Sequence, residues 1–178
     1  MENNEILEYL DDIQSEIDDE YEKFAKEDFE CKLRWHKMIK PLFVKCREFV
    51  NRLPGISNTY WEQVFLNYEI AKALLPVDED DNIDAKWIKK LEVDYLDGYM
   101  YRVHVELHEN SFVNNTTLTK KICLNEKRIE TTVIQWKKDE KWSIFEFFES
   151  LTEDLEVFDI LYEAYFNSAF YFLTSQTN

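Results

Sequence analysis

Glycine is nearly missing from this chain: Gly55 and Gly98 are the only two in 178 residues. Phosphate-cradling loops, dinucleotide fingerprints and nucleophile elbows all need backbone free of side chains, so this scarcity argues against each of them. Cysteine is as sparse. Cys31, Cys46 and Cys123 are odd in number and share no C-x-x-C spacing, which predicts reduced core thiols in the cytosol or nucleus. No apolar run is long enough to span a membrane, and the acidic N-terminus is unlike a secretory signal. With no clear targeting signal, the expected location is nucleus and cytoplasm. Lysine and arginine are absent from residues 143–178, which hold seven acids.

What is present is acid. The formal net charge is −16. A chain this acidic repels nucleic acid and attracts basic partners, so direct sequence-specific nucleic-acid binding is not expected. The charge is also uneven. Residues 1–30 carry thirteen acids and two lysines, whereas residues 31–52 carry seven basic residues and one acid.

Those two stretches share one apolar pattern. Ile6, Leu10, Ile13, Ile17, Tyr21, Phe24, Cys31, Trp35, Met38, Leu42, Cys46, Phe49 and Leu53 recur in steps of three or four, or seven across Asp28. This is a heptad seam, which asks for a partner helix along its length. A helix of about 50 residues at ~1.5 Å each is roughly 75 Å long, more than a domain of this size can cover. A second copy is the simplest partner, so residues 1–53 are read as the spine of a homodimer. Its predicted dimer contacts are Ile6, Leu10, Ile13, Ile17, Phe24, Cys31, Trp35, Met38 and Leu42. The second half gains another stripe, Phe29, Leu33, Ile39, Phe43 and Val50, and so should also pack on the domain that follows. Pro41 should kink the helix.

Residues 54–178 read as one α+β domain. Leu53-Pro54-Gly55 ends the spine. Short helices are predicted at Asn58–Leu66 and Tyr68–Leu75, and another of one or two turns opening at Asp78–Asp81. The period then changes to two. Trp87–Tyr95, an Asp97-Gly98 turn, Tyr99–Leu107, Thr117–Leu124 and Arg128–Trp136 predict a four-stranded antiparallel meander. Helical periodicity returns at Trp142–Leu151 and Leu155–Phe166, followed by the aromatic run Phe170–Leu173. The expected core under those helices is Trp87, Leu91, Val93, Tyr101, Val103, Val105, Leu118, Ile122 and Val133.

Catalytic chemistry is hard to find. His104, Glu106 and His108 share one strand face, but same-face side chains stand about 7 Å apart, wide for a shared ion. With Val103, Val105 and Leu107 on the core side, the three belong to the solvent side. His36, beside Arg34 and Lys37, reads as part of a solvated helix face. No cofactor, metal or enzymatic activity is expected.

Several strings, in order, resemble the SET / nucleosome assembly protein family of histone chaperones. On the spine these are Leu7–Ile17 (LEYLDDIQSEI) and Lys40–Arg47 (KPLFVKCR). After it come Leu53-Pro54 with Tyr60–Asn67 (YWEQVFLN), Leu91-Glu92-Val93 with Gly98-Tyr99, Glu109–Lys120 (ENSFVNNTTLTK), Thr132–Lys137 (TVIQWK) and Ser143–Phe148 (SIFEFF). The resemblance covers about residues 5 to 173. It implies a headphone-shaped dimer whose globular "earmuff" domains bind core histones, the tetramer-forming pair, the dimer-forming pair or both. Tyr68-Glu69 stands where the family prefers His-Pro. The chain stops at Asn178 without the acidic tail many members have, so binding is expected from the folded domain. The residues expected to carry it are Glu146, Glu149, Glu153, Asp154, Glu156, Asp159 and Glu163. An alternative use of the same fold is a dimeric adapter or regulator of a phosphatase or a histone acetyltransferase.

Overall fold

The computed structural model describes residues 2–174, with side chains from Asn4 onward. Met1 and residues 175–178, the outer ends of the two expected units, lie outside the described residues. Helix α1 runs unbroken from Glu2 to Asn51 with Pro41 inside it. The short helices α2 (Pro54–Ser57), α3 (Tyr60–Asn67) and α4 (Glu69–Lys72) follow. Strands β1 (Ile88–Leu96), β2 (Met100–Leu107), β3 (Thr117–Cys123) and β4 (Arg128–Glu130) form one antiparallel sheet in the order β1-β2-β3-β4. Helices α5 (Ser143–Glu149), α6 (Leu155–Phe166) and α7 (Ser168–Thr174) close the chain.

The fold is therefore the expected α+β arrangement of a long helix and a four-stranded sheet covered by helices. Leu91 faces Val105 and Val93 faces Val103 across β1 and β2, and all four are buried. Phe145 and Phe148 of α5 and Phe158 and Leu161 of α6 are buried among the core residues. Aromatic edges lock the layers: Trp87 meets Phe145 at 4.8 Å between ring centroids, and Tyr101 meets Phe158 at 4.7 Å. Each fully buried Phe or Leu contributes roughly 1.5–3 kcal/mol relative to exposure.

Several sequence expectations need correction. The Asp78–Asp81 stretch is a turn, not a helix. The Asp78 carboxylate accepts from the backbone N–H of Asp80 and of Asn82, at 2.9 Å each, and Asp81 takes a left-handed φ of 61°. That local bonding outcompetes a helix at such a residue. Strand β1 begins at Ile88, and a register shift between Ile88 and Lys90 buries Ile88 and leaves Lys89 exposed. Such a shift breaks simple alternation. The β1–β2 connection holds Gly98 at φ 86° and Tyr99 at φ 60°, so Tyr99 belongs to the turn.

The fourth strand is the largest departure. It ends at Glu130, not Trp136. Beyond it Thr132 replaces the ladder: its Oγ1 donates to Thr119 O and accepts from Thr119 N–H, both at 2.9 Å. The Asn115 side chain then holds Val133 O and Gln135 N–H. The residue expected in the core, Val133, is 77% exposed, and Ile134 is buried instead.

Candidate functional site

Two surfaces offer themselves, the acid-only segment and the free side of α1. In the first, Glu146 on α5, Glu153 in the loop, and Glu156 and Asp159 on α6 are exposed. The other three acids have inward partners. Glu149 accepts from Trp136 Nε1 at 3.3 Å. Glu163 accepts from Asn167 at 2.7 Å and from the Tyr171 hydroxyl at 3.1 Å. Asp154 sits at a left-handed φ of 49° just before α6 and meets the buried Lys120 at 3.3 Å.

Lys120 explains how this acidic loop is held. It lies on the core side of β3, fully buried, and its Nζ donates to Phe147 O at 2.9 Å and to Thr152 O at 2.7 Å. The ammonium also rests over the Phe147 ring, 4.4 Å from its centroid. Burial pushes the Lys120 amine below its usual range, and Asp154 partly restores it. Burial opposes ionisation of Asp154, but bonding from Thr152 and Ser150 and the charge of Lys120 outweigh it and hold the carboxyl low. One lysine thus ties the end of α5 to the start of α6, with the exposed acids around it. Asp159 differs: partial loss of water raises its carboxyl, Lys32 of α1 lowers it, and Asp28 raises it further.

The second surface is set by how α1 docks. His36, expected on a solvated face, is buried at 1% exposure. Its Nε2 donates to Asp94 Oδ1 at 3.0 Å, leaving Nδ1 to accept from the Tyr162 hydroxyl at 3.2 Å. Lys40 reaches the same Asp94 oxygen at 2.8 Å, and Arg102 of β2 takes the other. Burial disfavours the Asp94 charge, but these donors prevail and hold its carboxyl well below the usual carboxylate range. Sequence reading missed this junction. Its signals were His36 between Leu33 and Phe43 on the second stripe, and an acid in the middle of an apolar strand.

At ~100° per residue, Phe29, Leu33, His36, Phe43, Arg47 and Val50 share one side of α1. Phe29, Leu33 and His36 are buried, and Phe43, Arg47 and Val50 are half-buried. Cys46, placed on the seam by its spacing, turns toward the domain, with Sγ 3.7 Å from the Tyr60 hydroxyl. Cys31 is exposed and only Cys123 is buried, so two of the three thiols are not core residues of this chain.

The nine predicted contact residues fall in a sector about 80° wide on the other side. Exposure is 56% at Ile6 and Leu10, 37% at Ile13, 55% at Ile17, 60% at Phe24 and Leu42, 61% at Trp35 and 70% at Met38, and Cys31 is exposed as well. Every side chain from residue 4 to residue 24 is exposed. So long an apolar line left open marks an interaction surface.

Of the three residues weighed as a metal site, His104 and Glu106 carry other bonds, and His108 lies just past the end of β2. His104 Nδ1 lies 2.7 Å from Thr119 Oγ1, and Glu106 accepts from Lys90 at 3.2 Å. Among the described residues, no group of three His, Cys, Asp or Glu is placed to hold a metal ion. No helix among them is long and apolar enough to cross a membrane.

A 50-residue helix docked by one side onto an α+β domain, with an open apolar seam on the other, defines a recognisable class. Comparison with known proteins agrees. No family model matches the chain. Nucleosome assembly protein S of Plasmodium falciparum is 28% identical, with a TM-score of 0.52, over 93% of this chain and 99% of that one. A malaria-parasite nucleosome assembly protein shares the fold at 23% identity and a TM-score of 0.53, over 97% of this chain and 96% of that one. In sequence, NAP1-related protein 1 of Arabidopsis thaliana is 30% identical over 139 residues, which is 74% of this chain but 51% of that protein. The chain thus aligns with about half the length of this plant relative. An uncharacterized protein of Encephalitozoon cuniculi is 44% identical over 97% of this chain and 95% of its own length. In fold and in sequence the chain is similar to nucleosome assembly proteins.

Proposed function

We propose that this protein is a histone chaperone that works as a homodimer in nucleosome assembly and disassembly. The observation that carries the reading is the pair of surfaces just described, borne by a chain similar in fold and sequence to nucleosome assembly proteins. Residues 1–53 are the dimerisation unit, and residues 54–178 the histone-binding unit. An antiparallel pair of α1 helices lays the acidic first half of one, thirteen acids and two lysines, along the basic second half of the other. Seam thus meets seam, and the charges along its flanks are complementary.

The dimer carries twice −16, about −32. That field draws lysine- and arginine-rich core histones, of either the tetramer-forming or the dimer-forming pair, and competes with DNA for them. Glu146, Glu153, Glu156 and Asp159 are the direct contacts. Glu149, Asp154 and Glu163 belong to the same surface and also brace it. The work is done where histones are handed over, in nucleus and cytoplasm, and no bond is made or broken. Titrating labelled histone pairs against the protein at low salt tests this. Submicromolar to micromolar binding that keeps histones off DNA is the expected result. No detectable binding to either pair overturns the reading.

A further inference from the structure

The domain-facing side of α1 is not fully packed. Between its last turns, α3, the β1–β2 hairpin and the α6–α7 corner lies a cavity of about 220 Å³. Its walls are Phe43, Val50, Trp61, Leu91 and Tyr165, with Trp61 and Tyr165 stacked at 10°. An apolar cavity of roughly 150 Å³ accepts benzene, so this one has room for a larger ring such as an indole. Phe43 and Val50, its walls on α1, stand roughly 80–100° around the helix from the centre of the seam.

The mouth of the cavity has the opposite charge to the chain. Arg47, Lys89 and Lys90 stand there. They share two carboxylates: Glu92 pairs with Arg47 and with Lys90, and Glu106 pairs with Lys90 at 3.2 Å and Lys89 at 3.8 Å. Three cations against two acids leave one positive charge and several N–H donors unused. The His108 imidazole and the side-chain amides of Asn51 and Asn58, also at the cavity, have no hydrogen-bond partner among the described residues.

We propose that this cavity is a docking site for a short acidic peptide segment of a partner protein, anchored by one aromatic side chain. The ring fills the apolar chamber. A carboxylate beside it meets Arg47 and Lys89 and completes the charge balance. The Asn51 and Asn58 amides pair with the peptide backbone, which favours a peptide over a small aromatic acid. Elsewhere the protein's acidic field repels such a partner, so the cavity mouth fixes where it lands. Core histones are basic, and this site therefore takes a different partner from the exposed acids.

The probe is a short fluorescein-labelled peptide with one tryptophan flanked by aspartate and glutamate, titrated against the whole protein by anisotropy. Saturable micromolar binding is expected, with at least tenfold weakening when the tryptophan is replaced by alanine or the acids by their amides. Val50→Trp, which fills the chamber, and Lys89→Glu, which reverses a charge 56% exposed to solvent, should each weaken binding tenfold or more. If Val50→Trp fails to fold, the surface variant Lys89→Glu decides alone. Bound peptide should also slow alkylation of Cys46, which lines the cavity. Absence of saturable binding, unchanged affinity in Lys89→Glu, or indole-3-acetate binding as tightly as the peptide would each overturn the proposal. Histone affinity is measured separately, so failure here is distinct from failure of the chaperone reading.

Discussion

Asp94 is the residue on which the docking of α1 depends. It is 2% exposed and collects His36, Lys40 and Arg102. Replacing it by asparagine leaves the Lys40 and Arg102 cations and the His36 N–H donor around a neutral amide. Breaking a buried pair in this way costs about 3 kcal/mol, which lowers Tm by roughly 6–12 °C in a chain of this size. A thermal melt of Asp94→Asn checks it. Acid should act in the same direction. The folded-state carboxyl is depressed, so its stabilisation is present above the unfolded value, about 4, and is lost as pH falls through the folded value. Melts from pH 6 down to pH 2 should therefore show a loss beginning near pH 4, which Asp94→Asn blunts. Lys120→Met tests the other buried ion. It frees Phe147 O and Thr152 O and leaves Asp154 without its cation, so the α5–α6 loop should loosen, seen as faster amide exchange at residues 150–154.

At the scale of elements, α1 makes the sharpest prediction. Ile13→Asp with Ile17→Asp places two charges on the seam, and light scattering should report a monomer where the unaltered chain gives a dimer. A dimer mass unchanged by both substitutions refutes the seam. In the acidic loop, Glu146, Glu153 and Glu156 changed to glutamine with Asp159 changed to asparagine should lower histone affinity at least tenfold. Tm should move little, since exposed substitutions rarely cost more than about 0.5 kcal/mol each. Adding Asp154→Asn to that set should cost stability as well, because of Lys120.

The helices and most strands were legible because their hydrophobic periods are long and regular. The apolar stripe along α1 was legible for the same reason, and the nine residues assigned to it all lie on the open side of the helix. The failures fall where side chains bond to backbone. Asp78 and Thr132 override periodicity locally, and Val133 and Ile134 exchange places with no change in hydrophobic pattern to mark it. His36 was unreadable for another reason. Its partners Asp94 and Tyr162 lie 58 and 126 residues away, and no local pattern announces a pair at that separation. Among the seven acids, sequence treats all alike; only the fold separates Asp154 and Glu163, tied inward, from Glu153 and Glu156, which are free to meet a partner.

For the whole molecule, charge sets the behaviour in solution. Histone affinity resting on exposed carboxylates should fall as salt rises, because screening acts within about 8–10 Å at physiological ionic strength. Titrations at 50, 150 and 500 mM salt should give progressively weaker binding, while the dimer mass, held by apolar contact, stays the same. The open first half of α1 then has a consequence of another kind. From residue 4 to residue 24 every residue is exposed, and a helix without tertiary packing draws little stability from propensity alone. Its order is therefore a matter of mass action. Dilution below the dimer dissociation constant should melt it, with a measurable drop in helical circular dichroism and a Tm that climbs with protein concentration. A cell holding little of this protein would then hold it partly unwound, so abundance itself sets how much of it can act.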